Sequence, residues 1–106
     1  MKAQHPGWAC CDLSQDLAGW IAKERAALAD ARLMAAGWHV EGAVMHAESA
    51  RLAGTGDHDG AIEAAARSRA AHGRANAIMQ SVRIREGHVD RVETAHAWRL
   101  STAGGA

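Results

Sequence analysis

The 106-residue chain is expected to be all-α, a long antiparallel helical hairpin, and three features predict it. Alanine supplies 26 residues, Phe and Tyr are absent and Pro occurs once, so helix formers dominate and strand formers are scarce. Apolar residues recur at helical spacing on both sides of the middle of the chain. The middle itself, Gly54-Thr55-Gly56-Asp57-His58-Asp59-Gly60, gathers residues that suit helix ends and turns and weaken helix interiors.

Residues 1–12 read as an irregular segment, because Pro6-Gly7 blocks a helix and no periodicity is present. The same stretch has no apolar run of signal-peptide length, and no 18-residue apolar segment occurs anywhere, so a cytoplasmic, non-membrane protein is expected. The first helix is expected over 13–52, with Asp12 or Ser14 as its cap and Asp16 in its first turn, where the helix dipole favours an acid. From Leu13 the apolar positions follow a helical stripe through Leu17, Trp20, Ile21, Leu28, Ala31, Met34, Ala35, Trp38, Met45 and Leu52, within which Leu17, Glu24, Ala31, Trp38, Met45 and Leu52 stand seven apart, the spacing of a helix–helix seam. Gly37 and Gly42 interrupt the helix formers, and small residues there let a partner helix approach closely.

The bend is expected at 54–60 and the second helix over 60–100, capped by Asp57 or Asp59 with Glu63 in its first turn. Its face runs through Ile62, Ala65, Ala66, Ala71, Ala75, Ile78, Met79 and Val82, then resumes after Gly87 at Val89, Val92, His96 and Leu100. Residues 101–106 read as a flexible tail. Two Ala-rich helices bury little area per residue, so the hairpin is expected to dimerise into a four-helix bundle. A monomeric bundle of four shorter helices, broken near Gly37 and Gly87, is the alternative.

Charge gives no global pointer: 12 basic and 12 acidic residues balance. The arginines at 67, 69, 74, 83 and 85 fall in an acid-free run but on several faces, with no aromatics between them, so nucleic acid is not an expected partner.

Three constellations could carry chemistry. Glu93-Thr94-Ala95-His96 places a carboxylate and an imidazole on one helix face, three residues apart. Folding the chain about residue 57 sets 18–21 opposite 93–96, with Glu24 about one turn away. Glu24, Glu93 and His96 would then form half of a two-metal carboxylate centre that a twofold partner completes, suited to iron or zinc. In this respect the chain is similar to the small ferritin-like hairpins that build iron sites at subunit interfaces. The competing reading is a polar break in the seam, with Glu24 paired to Arg91 or Arg99. His39, His46 and His72 form a second cluster, because the same folding sets His72 opposite Gly42; two of the three could share zinc or copper, or make a pH-dependent interface. Cys10-Cys11 is the third, read as two reduced thiols with soft-metal binding or an intersubunit disulfide as alternatives.

No catalytic set stands out. The functional expectation is therefore a small non-enzymatic protein–protein interaction module, of adaptor or inhibitor type, that presents helix faces. Trp20, Met34, Trp38, Met45 and Trp98 are its candidate interface residues, since large amphipathic side chains anchor interfaces. Trp8 is a further widely placed tryptophan, and Trp98 has a second expected role, closing the bundle end against Leu13 and Leu17. The metal-binding hairpin is the alternative function.

Overall fold

A computed structural model of the chain describes residues 13–105, with side chains described from Asp16 to Thr102. The irregular segment 1–12, with Trp8, Cys10, Cys11 and the capping candidate Asp12, lies outside the described residues, as do the side chain of Leu13 and the residue Ala106.

Among the described residues there are two α-helices and no strand. Helix α1 spans Leu13–Gly54 and α2 spans His58–Gly105, and they pack against each other as a helical hairpin. Both run farther than the residue pattern suggests: α1 continues two residues past 52, and α2 starts two before 60 and reaches Gly105. Ser14 falls inside α1 and is not its cap, while Asp16 does occupy the first turn. Neither Gly37 nor Gly87 ends a helix, which removes the four-helix alternative. A single glycine costs a helix only about 1 kcal/mol relative to Ala, and helical turns on both sides hold each of these two.

The connection is three residues long. The amide of Asp57 donates to Leu52 O (3.0 Å) and that of Gly56 to Ala53 O (3.1 Å), the paired bonds that close a helix around a left-handed residue. Gly56 is that residue, at φ +87°, where a side chain would be strained. Asp57 then caps the next helix, accepting the Gly60 amide on Oδ1 at 2.9 Å. A Cβ at Gly60 would collide with that carboxylate, so glycine here leaves the cap its room. Asp59, and not Glu63, lies in the first turn of α2.

Contacts divide the chain into two compact units, one joining the start of α1 up to Leu28 to α2 from Ile84 onward, the other comprising Ala29–Arg83. In the first, Ile21 and Leu28 of α1 and Val89 of α2 are buried. In the second, the buried apolar residues are Ala35, Ala61, Ala64, Ala71, Ala75 and Val82. The buried row of α1 (Ile21, Leu28, Ala35, Gly42) therefore lies four residues along from the row Leu17 to Leu52, which is only partly buried where its side chains are described. On α2 the matching row is Ala61, Ser68, Ala75, Val82 and Val89, again seven apart.

Candidate functional site

Polar and aromatic groups line the seam of each unit. In the Ala29–Arg83 unit, Ser68 is buried and its hydroxyl donates to the carbonyl of Gly42 at 2.7 Å. The His72 ring lies directly over Gly42: a Cβ there would stand 2.6 Å from Nε2. His72 meets His39 nitrogen to nitrogen, with the two Nδ1 atoms 2.9 Å apart and the ring centroids 5.1 Å apart. One imidazole must donate and the other accept, so the pair holds a single proton between the helices. His46 is exposed and is absent from this contact. The sequence-based pairing of His72 with Gly42 thus holds, and of the three histidines only two converge. Trp38 is half-buried, with the Arg74 guanidinium 4.7 Å above its ring. Nearer the bend, Ser49 Oγ donates to Ala61 O at 2.7 Å. There Val44, Met45 and Leu52 face Gly60 and Ala64 across an open groove of about 310 Å³ rimmed by Glu48, Glu63 and Arg67.

In the other unit, Glu24 accepts from Arg85 at 2.7 Å. The expected partners Arg91 and Arg99 lie six and fourteen residues beyond Arg85; the short connection sets the fold-over nearer residue 55 than residue 57, a register shift of about one helical turn, and Ser49 against Ala61 and Gly42 against Ser68 show the same register. Arg25 binds Asp90 at 2.8 Å and also Glu93. Those hydrogen bonds, Asp90's first, raise the Arg25 guanidinium above its ordinary pKa. Trp20 meets His88 edge-on, with centroids 5.8 Å apart and planes at 83°. His96 is half-buried and its Nδ1 is enclosed without a hydrogen-bond partner.

The candidate metal residues are thus placed as follows: Glu24 and Glu93 are held by different arginines, and His96 keeps a free ring nitrogen. Among the described residues no three His, Cys, Asp or Glu side chains gather as a metal set within one chain.

Of the five candidate interface residues, Trp20, Trp38 and Met45 are half-buried in the hairpin, whereas Met34 (59%) and Trp98 (69%) stand in solvent. That exposure leaves Trp98 largely uncovered by its own chain. Sequence reasoning missed Leu33, Val40, Val44 and Ile84, all more than half exposed, and it placed Ile62 on the packing face of α2, whereas that side chain is 67% exposed. The signal was present: Leu33 and Val40 are seven apart, on a row distinct from the one read as the seam.

Compared with known protein families, characterised proteins and solved structures, the chain matches none. No described helix is long and apolar enough to cross a membrane.

Proposed function

We propose that this protein is a non-enzymatic, homodimeric interaction module of the cytoplasm, which presents helix faces to a protein partner in the manner of an adaptor or inhibitor. The observation that supports this reading is an inversion of side-chain size. Among the described residues the buried seam is mostly Ala, and only Leu28 and Val89 are large and fully enclosed, while Leu33, Val40, Val44, Ile62, Ile84 and Trp98 project into water. Burying a large apolar side chain contributes about 1.5–3 kcal/mol. A chain that leaves so many of them outside has most of its association energy still unspent, and a second surface recovers it.

Native mass spectrometry of protein purified without chelator or affinity metal tests the proposal. A metal-free dimer is the expected result; a metal-free monomer at micromolar concentration overturns it. The alternative function, an iron-type carboxylate centre at a dimer interface, draws support from one atom, the unpartnered Nδ1 of His96. A dimer carrying iron or zinc that is lost in Glu93→Ala and His96→Ala would replace the interaction reading with that one.

A further inference from the structure

His39 of α1 and His72 of α2 face each other within the Ala29–Arg83 unit. Their Nδ1 atoms are 2.9 Å apart and their ring centroids 5.1 Å apart, so the two nitrogens point at each other close to one line. The contact lies on the open side of the seam, with His39 exposed and His72 half-buried, so water and ions reach it. From below, the His72 ring is seated in the notch at Gly42, where a Cβ would stand 2.6–2.8 Å from three of its atoms. An internal glycine weakens a helix, and one exposed hydrogen bond between neutral rings returns little of that. The notch therefore spends helix stability to hold one imidazole nitrogen opposite another.

We infer that His39 and His72 form a two-imidazole clip for a divalent transition-metal ion, copper(II) by preference, which ties α1 to α2. Imidazole suits copper, nickel and zinc, and of these divalent ions copper is held most tightly by a given nitrogen site. Ring nitrogens bind such ions at about 2.0–2.1 Å. An ion on the line between the two Nδ1 atoms therefore needs the rings to part by about 1.2 Å, and one beside that line needs less. His39, being exposed, supplies this movement while His72 keeps its seat. The hydrogen shared between the Nδ1 atoms passes through solvent to Nε2 of the ring that carried it, so no net proton is lost. Both Nδ1 lone pairs then replace waters of the hydrated ion, and water keeps the remaining positions. His46, seven residues from His39 and so about 10 Å along the helix, stays outside.

The clip uses none of Glu24, Glu93 and His96 and needs no second copy, so it goes beyond both functional readings. Two imidazoles and water release an ion on dilution, so a metal-free chain as purified agrees with it and copper is added back. The test uses the full chain with Cys10→Ser and Cys11→Ser, so that thiols neither bind nor reduce the probe. Copper(II) sulfate is titrated by calorimetry, and paramagnetic resonance spectra are taken at saturation. One copper(II) per chain with two imidazole nitrogens in its sphere is expected, with a melting temperature that rises with added copper. His39→Gln and His72→Gln should each weaken binding at least about a hundred-fold, more than loss of an outer-sphere partner costs. Gly42→Ala, which unseats the His72 ring but keeps both ligands, should weaken it about ten-fold. His46→Gln and His96→Gln should bind as the parent chain does. Circular dichroism without metal should show the same helix content in the histidine variants. Copper that stays bound in either His39→Gln or His72→Gln overturns the clip, as does the absence of saturable binding at micromolar copper. A parent-chain spectrum with one nitrogen or none overturns it independently of any variant. A dimer that takes up no copper overturns the clip and leaves the interaction reading standing.

Discussion

Gly37 and Gly42 are the same residue type in the same helix, yet substitution should separate them. A Cβ on Gly37 meets nothing within 4 Å, whereas one on Gly42 would overlap the His72 ring. Gly37→Ala should therefore raise stability by up to about 1 kcal/mol, the helix-propensity gain alone. Gly42→Ala should lower it despite the same gain, since His72 must leave His39 and the helices must part around Ser68. Urea denaturation of the two variants checks the opposite signs. Leu28 is 1% exposed and, among the described residues, one of the two large side chains fully enclosed. Leu28→Ala should cost about 2–5 kcal/mol, a large share of the ~5–15 kcal/mol that holds an ordinary domain together.

Between the helices, Asp57 serves two elements at once. Its amide closes α1 through Leu52 O and its carboxylate caps α2 through the Gly60 amide. Asp57→Ala keeps the first contact and loses the second, so thermal denaturation should show a loss of about 1 kcal/mol. Within α1, hydrogen bonding from Arg51 holds the Glu48 carboxyl below its ordinary value of 4.5. Because the folded pKa is the lower one, this pair stabilises the helix above about pH 4.5 and the contribution fades as pH falls through the depressed value. The pair is exposed, so salt screens it. A carboxyl-carbon NMR titration should place the Glu48 midpoint below that found in Arg51→Gln, with the gap narrowing in salt.

The proposed dimer of hairpins would couple association to folding. The melting temperature should accordingly rise with protein concentration between about 1 and 100 µM. Scanning calorimetry at several concentrations reads the dependence. A concentration-independent transition in the wild-type chain would argue against a dimer that stabilises the fold.

The fold class, the two helices and the glycine-rich bend were legible from residue order alone. Alanine content, seven-residue spacing and turn chemistry are local properties that need no knowledge of the partner helix. Asp57 as a cap and His72 against Gly42 were legible for the same reason, as consequences of simple chain reversal. Which of two seven-residue rows lies inside was not. Leu17 to Leu52 carries the larger side chains, but Ile21, Leu28, Ala35 and Gly42 are the more deeply buried row, because small residues let the helices close and a close approach excludes more water than a few bulky contacts. Register was hidden too: with helices ending at Gly54 and starting at His58, the connection is two residues shorter at each end than the expected helix bounds left it, which shifts the pairing by about one turn and gives Glu24 to Arg85 in place of Arg91 or Arg99. Sequence determined the helices. Tertiary structure decided which faces they hide and which they leave exposed, since a helix with two apolar rows can bury only one of them against a single neighbour.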